Sequence, residues 1–168
     1  MDITVSFKNN ILTDKYGKKA SDTIQGKPAL SFPFEVTNIP NKTKSLAWTL
    51  VDYDSIPVCG FAYIHWVAAN VPVVGSHMVI EEDFSRQDKI HTHGKNSLVS
   101  AFLKEDFSAI AENYTGPYPP DKNHIYTLTV YALDDELALS DGFYMNDLLK
   151  AVKNHTLAKA KLEIIGKS

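Results

Sequence analysis

The sequence of 168 residues contains a single cysteine, Cys59, which excludes an intrachain disulfide and a thiolate zinc cluster. This scarcity favours a reducing compartment, and we expect a cytoplasmic protein. Neither sign of charge is in excess, because 17 Lys and Arg stand against 20 Asp and Glu, a formal net charge of −3. Without a basic surplus there is no global field that gathers nucleic acid or an anionic membrane, so we expect any anion site to be local.

Long apolar runs are also missing. The most apolar stretch, residues 61–74, includes His65 and Asn70 and is too short and too polar to cross a bilayer. The beginning, MDITVSFKNN, has neither the basic region nor the apolar region of a secretory signal. We therefore expect no transmembrane segment and no secretion. The hydrophobic content of 44% and charged content of 22% are ordinary for a folded chain, and the length predicts one domain over residues 1–168.

Signatures of the common enzyme classes are absent as well. The sequence has no Gly-x-Ser-x-Gly, no phosphate-binding P-loop and no Gly-x-Gly-x-x-Gly. His91 and His93 would place two imidazoles on one side of a strand, as in some metal sites. No acid follows at a useful spacing, although Glu81, Glu82 and Asp83 lie upstream, and a solvated polar loop is favoured over chelation. We expect no metal and no cofactor.

Alternation of apolar and polar residues predicts three central strands, over residues 45–52, 61–70 and 125–134. Weaker strand patterns cover residues 3–7, 34–36 and 157–165. Because consecutive strand residues face opposite sides, each central strand presents one set of residues to a common face. These sets are Leu46, Trp48, Leu50 and Asp52 in the first strand, Phe61, Tyr63, His65 and Val67 in the second, and Tyr126, Leu128, Val130 and Ala132 in the third.

Helical spacing of apolar residues predicts two short amphipathic helices, over residues 103–113 and 145–154. Between residues 75 and 100 the pattern fails, which predicts a long surface loop. Strands and helices do not alternate regularly, which argues against a doubly wound parallel sheet. The sequence therefore favours a mainly β sandwich with a few peripheral helices.

Polar residues with the chemistry of a binding site lie at the ends of the predicted strands. Asp52 and Asp54 follow the first strand two residues apart, although DYDSIP is also typical of a purely structural turn. His65 lies within the second strand, where a lone histidine is more often a hydrogen-bonded core residue. His124 and Tyr126 have the same strand parity, so an imidazole and a phenol should project from one face and could grip an anion.

Five segments, taken in order, resemble the motifs of the phosphatidylethanolamine-binding protein family, in its bacterial and archaeal branch of Raf-kinase-inhibitor-like proteins. They span nearly the whole chain: PALSFPF at 28–34, KSLAWTLVDYDSIP at 44–57, IHWVAANVP at 64–72, GPYPPDKNHIYTLTVYALD at 116–134 and DLLKAVKNHTLAKAKLEIIG at 147–166. The resemblance implies a large central sheet packed on a smaller one, with peripheral helices and a small pocket for phosphate-like anions at one end. It also implies that members often form homodimers.

Carried over by position, the resemblance implies a ligand-binding pocket made of Asp52, Asp54, His65, Gly116, Pro117, His124 and Tyr126. Two positions depart from the family pattern. Tyr53 replaces the proline between the two acids, which loosens the backbone there. Ile125 replaces the arginine of His-Arg-Tyr, but strand parity turns it away from the pocket, into whatever lies behind the sheet. Residues 103–113 also form a longer segment than the family's usual connection before the Gly-Pro loop.

Two imidazoles, a phenol and backbone amides would supply donors for phosphate oxygens. Asp52 would orient an imidazole and keep it cationic, or meet the ammonium of a phosphoethanolamine headgroup. We therefore expect a protein that binds a small anion or a phospholipid headgroup, and the resemblance implies that some members modulate a kinase or protease. The alternative is a hydrolase in which an Asp-His pair activates water or a bound metal. Binding is favoured, because no nucleophile or oxyanion-hole motif is present. Affinity should fall as pH rises through the histidine range if an imidazole donates.

Overall fold

The computed structural model describes the whole chain from Met1 to Ser168. Ten strands form a five-stranded sheet, a three-stranded sheet and a two-stranded ribbon, in which every strand pair is antiparallel. The strands are β1 (Asp2–Thr4), β2 (Thr23–Ile24), β3 (Lys27–Pro28), β4 (Phe34–Thr37), β5 (Ser45–Asp52), β6 (Tyr63–Pro72), β7 (Met78–Ile80), β8 (Thr92–Gly94), β9 (His124–Leu133) and β10 (Thr156–Gly166). The large sheet has the order β10-β9-β5-β6-β8, the small sheet has the order β1-β4-β7, and β2 pairs with β3.

The mainly β sandwich predicted from the sequence is confirmed. One face of the large sheet and the inner face of the small sheet share a core of 21 buried residues. Within it, edge-on aromatic contacts join Phe34 of the small sheet to Trp48 and Trp66 of the large one, with ring centroids 5.4 and 6.2 Å from Phe34. A second core of 9 residues, which includes Ala47 and Leu148, covers the opposite face of the large sheet. Strand β5 is therefore buried on both faces.

A β-bulge in β6 changes which residues share a face. Leu50 pairs with Trp66, but the next β5 residue, Val51, pairs with Ile64, so His65 is an extra residue in the ladder. The sequence-based expectation that His65 and Val67 share a face is wrong for this reason, because Val67 belongs to the second core. The bulge turns His65 towards the β9 side chain Tyr126, with ring centroids 5.0 Å apart.

The helices are few and short. They are α1 (Ile56–Cys59), α2 (Phe84–Gln87) and α3 (Met145–Ala151), with 3-10 turns at Lys8–Asn10, Asp14–Tyr16, Ser97–Val99 and Val152–Asn154. The predicted helix over residues 145–154 is confirmed as α3 and the turn that follows it. No helix in the protein has the length and apolar character needed to span a bilayer.

The predicted helix over residues 103–113 is wrong, because that segment consists of successive turns. Phe107 and Ile110 are buried as the pattern indicated, but the Asn96 side chain donates to the carbonyls of Ile110 and Asn113, at 2.8 and 2.7 Å. A side chain thus satisfies carbonyls that a helix would pair with its own N–H groups. The predicted loop over residues 75–100 is also wrong, because β7 and β8 extend the edges of the two sheets there.

Candidate functional site

A cavity of about 230 Å³ opens at the end of the large sheet where β5 ends and β9 begins. Strand register creates it, because Asp52, the last residue of β5, pairs with Tyr63 of β6 on one side and Tyr126 of β9 on the other. The bulge adds His65, and His124 lies two residues before Tyr126 on the same face. Five of the seven residues proposed from the sequence line this cavity: Asp52, His65, Gly116, His124 and Tyr126.

His124 is held between two carboxylates. Its Nδ1 lies 2.8 Å from Asp52 Oδ2, and its Nε2 lies 2.8 Å from Asp121 Oδ1. Since both partners are acceptors, both ring nitrogens must donate, which requires the imidazolium form. Burial lowers the pKa of His124, but the hydrogen bonds to Asp52 and Asp121 outweigh burial and raise the pKa above its ordinary value. His124 therefore carries a positive charge and has no free N–H.

His65 has the opposite character. Its Nδ1 lies 2.8 Å from the carbonyl oxygen of Thr115 and donates to it, while the Thr115 N–H donates to the His65 carbonyl at 2.9 Å. Burial lowers the pKa of His65 to about 4, so the ring is neutral at physiological pH. A neutral imidazole with a proton on Nδ1 has a lone pair on Nε2. That Nε2 makes no hydrogen bond within the protein, and it is available in the cavity wall.

Tyr126 contributes a buried hydroxyl that has no hydrogen-bond partner in the protein. Burial, together with the nearby Asp52 carboxylate, raises the pKa of this phenol above its ordinary value, so it remains protonated. A buried hydroxyl without a partner is unfavourable, so each one in a folded protein needs an explanation. Trp48 Nε1 and His91 Nε2 are likewise buried without a partner, but of these three residues only Tyr126 lines the cavity.

Two residues proposed from the sequence lie outside the cavity. The Asp54 carboxylate accepts the backbone N–H of Ile125 at 2.8 Å, which anchors the turn after β5 to the start of β9. Pro117 is buried on the other side of its loop, and its Cβ would lie 2.9 Å from a Cβ built on Gly166. Their expected placement in the pocket is therefore wrong, because the Asp54 side chain bonds to the backbone at the start of β9 and the Pro117 ring packs near Gly166.

Ile125 faces away from the cavity, as strand parity predicted. Its side chain remains 44% exposed, so the space behind the sheet does not bury it. The loss of the family's arginine at this position therefore removes no group from the cavity wall.

Gly116 lines the cavity without offering it a donor. Its N–H donates to the Pro28 carbonyl at 2.8 Å. A Cβ built on Gly116 would lie 2.3 Å from the Tyr16 carbonyl oxygen, so only glycine permits this close approach of two backbone segments. Together with the two histidines, this corrects the expectation that imidazoles and this backbone amide donate to an anion, because their N–H groups already have partners in the protein.

Sequence reasoning missed Asp121 and Lys27. Asp121 lies in the loop before β9, three residues before His124, and its side chain is 50% exposed. Lys27 lines the cavity from β3, and its Nζ lies 5.9 Å from the ring centroid of Tyr118. The position of Asp121 three residues before His124 was a sequence signal that the two side chains could pair. No local pattern marks Lys27, because the two-stranded ribbon is brought to the cavity by tertiary packing.

The other histidine pair forms a packed cluster. His91 Nδ1 lies 2.8 Å from Asp88 Oδ1, its ring stacks on Phe84 with centroids 4.7 Å apart, and the His93 ring centroid is 4.1 Å away. The His91 side chain is fully buried, and burial lowers its pKa. The expectation of a solvated loop is wrong for His91. No group of three or more His, Cys, Asp or Glu residues in the protein is arranged to hold a metal ion.

Comparison with known proteins agrees with this fold. The family model described as phosphatidylethanolamine-binding protein matches residues 3–166. YxkA of Bacillus subtilis is 44% identical over 161 residues, which cover 95% of each chain. A UPF0098 protein of Methanothermobacter thermautotrophicus is 29% identical and covers 79% of this chain and 80% of its own.

Two solved structures have the same architecture. A Chlamydia trachomatis protein described as a phosphatidylethanolamine-binding protein homologue superposes with a TM-score of 0.73 at 26% identity, over 99% of this chain and 95% of its own. YbcL of E. coli, described as a new member of the mammalian family, has a TM-score of 0.75 over 99% of this chain and 98% of its own. At 19% identity, YbcL supports the fold alone. On the family match and the Bacillus relative, this chain belongs to the phosphatidylethanolamine-binding protein family.

Proposed function

We propose that the cavity binds a small phosphate-type anion, either free or as the headgroup of a phospholipid. The observation that carries this proposal is the Tyr126 hydroxyl, which is buried in the cavity wall and has no partner in the protein. Desolvation of an unpaired hydroxyl costs about 1 to 3 kcal/mol, and a ligand oxygen at this position would recover that loss. Family membership supports a ligand-binding role of this kind.

Charge in the cavity wall supports an anionic ligand. Lys27 makes no ion pair, and its ammonium lies at the cavity beside the Tyr118 and Phe107 rings. The His124 imidazolium adds a second positive charge, although both its protons are engaged by carboxylates. A ligand anion would therefore be attracted mainly to Lys27, because Asp52 and Asp121 offset the charge of His124.

The geometry favours binding over hydrolysis. In the Asp52–His124 pair, both ring nitrogens face carboxylates, so this imidazole has no lone pair with which to accept a proton from water. His65 does have a lone pair, but with a pKa of about 4 it is a weak base. Modulation of a kinase or protease is part of this proposal only as a consequence of ligand binding.

The substitution Tyr126→Phe tests the proposal. Removal of the hydroxyl should weaken the binding of methyl phosphate by roughly 1.5 to 3 kcal/mol, about tenfold or more, because one hydrogen bond to a charged oxygen is lost. Stability should not fall, since the hydroxyl has no partner in the folded protein. Calorimetric titration and urea unfolding measure both quantities.

Tyr131→Phe is the matched control, because Tyr131 lies on the same strand but belongs to the core on the opposite face. It should leave the affinity for methyl phosphate unchanged. Equal affinities for the wild type and Tyr126→Phe would contradict the proposal. Parallel titrations with phosphoethanolamine and with phosphatidylethanolamine vesicles separate the two sources, since only a lipid ligand requires binding to the vesicles.

A further inference from the structure

The cavity wall contains a histidine acceptor, His65 Nε2, that no N–H or O–H of the protein fills. His124 gives both its N–H groups to carboxylates, His65 gives Nδ1–H to Thr115, and Gly116 gives its N–H to Pro28. The donors without a partner are the Lys27 ammonium and the hydroxyls of Tyr63, Tyr118 and Tyr126. The acceptors in the same wall are the Nε2 lone pair of His65 and the remaining lone pairs of Asp52.

Charge in the wall is balanced in a similar way. The carboxylates of Asp52 and Asp121 offset the two cations, His124 and Lys27. A dianion would therefore enter a site that has no net positive charge to neutralise it. It would also bring only lone pairs to face the lone pairs of His65 and Asp52, which leaves buried acceptors unpaired.

We infer that the cavity selects an oxyanion that carries its own O–H, namely singly protonated phosphate or a singly protonated phosphomonoester. The ligand O–H donates to His65 Nε2, and the unprotonated oxygens accept from Tyr126 and Lys27. His65 is then a specificity-determining residue that acts as an acceptor. This inference rests on the proposed function and adds the protonation state of the ligand. It excludes headgroups whose phosphate is a diester, such as that of phosphatidylethanolamine, because a diester carries no O–H.

Three probes separate this arrangement from simple charge attraction. Methyl phosphate has a second pKa of about 6, so it offers an O–H at pH 5.5 and loses it above. Sulfate is a dianion without an O–H, and dimethyl phosphate is a monoanion without an O–H. Calorimetric titration of the wild type at four pH values from about 5.5 to 8.5 gives a dissociation constant for each probe.

At pH 5.5 methyl phosphate should bind at least about tenfold more tightly than sulfate or dimethyl phosphate, because only methyl phosphate satisfies the His65 lone pair. Its affinity should then fall about tenfold for each pH unit above its second pKa. Comparable affinities for methyl and dimethyl phosphate at pH 5.5 would overturn the inference, as would an affinity for methyl phosphate that is independent of pH.

Sulfate is the control for titration of the protein's own groups, because sulfate does not change its protonation between about pH 5.5 and 8.5. The titratable groups that share the cavity with His65 are Lys27, Asp52, Cys59, Tyr63, Tyr118, His124 and Tyr126. Any of these that titrates affects sulfate as well, so the inference concerns the ratio of methyl phosphate affinity to sulfate affinity. A ratio that stays constant from pH 5.5 to 8.5 would overturn it.

His65→Gln removes the lone-pair requirement, because a glutamine amide can turn either its oxygen or its NH₂ to the ligand. The ratio at pH 5.5 should fall to near one, while His77→Gln, on the exposed pair with Glu35, should leave it unchanged. An unchanged ratio in His65→Gln would overturn the role of His65. If His65→Gln does not fold, the wild-type probe series still decides. If no probe binds the wild type at any pH, the proposed function itself fails.

Discussion

The protein has two pairs of histidines with carboxylates beside them, and they differ in what surrounds the rings. His65 and His124 lie in the wall of an open cavity with Asp52. His91 and His93 lie 4.1 Å apart at the other edge of the large sheet, where His91 bonds to Asp88. We refer to them as the cavity pair and the packed pair.

The difference lies in what occupies the space beside the imidazoles. In the packed pair, the Phe84 ring stacks on the His91 ring and occupies the space beside it. In the cavity pair, the bulge at His65 and the close approach at Gly116 hold the walls apart. In the sequence, the packed pair has the tighter spacing and is closer to a metal motif. The presence of ligand-type side chains therefore indicates a site only when the backbone around them leaves room.

The largest effect is expected from alanine at the glycines beside each pair. In Gly116→Ala, the new Cβ would lie 2.3 Å from the Tyr16 carbonyl oxygen and 2.7 Å from Pro28 Cβ, so backbone must move. We expect a loss of about 3 kcal/mol in the free energy of unfolding, with loss of phosphate binding. Urea unfolding and calorimetry measure the two effects.

Gly94→Ala is the counterpart at the packed pair, where the Cβ would lie 2.8 Å from Val67 Cβ and from the Phe143 ring. We expect a loss of about 2 kcal/mol in stability, since the Phe143 ring can shift but Val67 Cβ moves only with its backbone, with unchanged affinity for methyl phosphate. If Gly94→Ala lowered that affinity as much as Gly116→Ala, the two regions would not be separate.

A smaller effect is expected from the protonation of His65. The unfolded chain binds a proton at this position with a pKa of about 6.5, whereas the folded protein stays neutral down to a pKa of about 4. Since the unfolded state binds more protons in this window, His65 lowers stability as pH falls from 6.5 towards 4. Between pH 7.5 and 5.0 the loss from this group is about 2 kcal/mol.

The measurement is the change in unfolding free energy between pH 7.5 and 5.0, in the wild type and in His65→Gln. The acid-induced loss should be smaller in His65→Gln by that amount. His91→Gln gives the matched comparison at the packed pair, where burial also lowers the pKa of the histidine, so it should reduce the acid loss as well. Equal acid losses in the wild type and His65→Gln would mean that His65 is not held neutral.

The smallest effect is expected at the exposed carboxylate of the cavity pair. Asp121→Asn removes one negative charge beside His124, so the pKa of His124 should fall, while the amide oxygen can still accept from Nε2–H. We expect sulfate to bind roughly twofold to fivefold more tightly at pH 6. NMR titration of the His124 ring and calorimetry test this.

Asp88→Asn makes the equivalent change at the packed pair, where Asp88 bonds to His91. It should lower stability without a change in sulfate affinity, because Phe84 packs on the His91 ring and neither histidine of this pair lines the cavity. A decrease in sulfate affinity in Asp121→Asn would show instead that Asp121 helps to hold the ligand.

The sequence predicted features that depend on local periodicity. Alternation correctly located β5, β9 and β10, and it placed His124 and Tyr126 on the face opposite Ile125. The family resemblance added the order of the motifs, and five of its seven proposed site residues line one cavity.

Other features depended on partners that are distant in the sequence. The bulge at His65 is defined by the pairing of β6 with β5, so the alternation within β6 alone wrongly placed Val67 on the same face as His65. Asp52 and Asp54 have the same local pattern, yet the Asp54 carboxylate accepts a hydrogen bond from the N–H of Ile125. Residues 103–113 have helical spacing of apolar residues, but the Asn96 side chain donates hydrogen bonds to the carbonyls of Ile110 and Asn113. The periodicity of a sequence describes one segment at a time, whereas the bulge, the Asp54 contact and the Asn96 contacts each depend on two segments.

The bulge at His65 also bears on how such a site is gained or lost. A regular ladder between β5 and β6 would need one residue fewer at that point, because Leu50 pairs with Trp66 and Val51 with Ile64. Loss of the His65 codon would therefore be an in-frame deletion that restores regular pairing while it removes the acceptor from the cavity. The same deletion would also remove the two hydrogen bonds between His65 and Thr115, so the bulge couples the binding chemistry to the loop that carries Gly116.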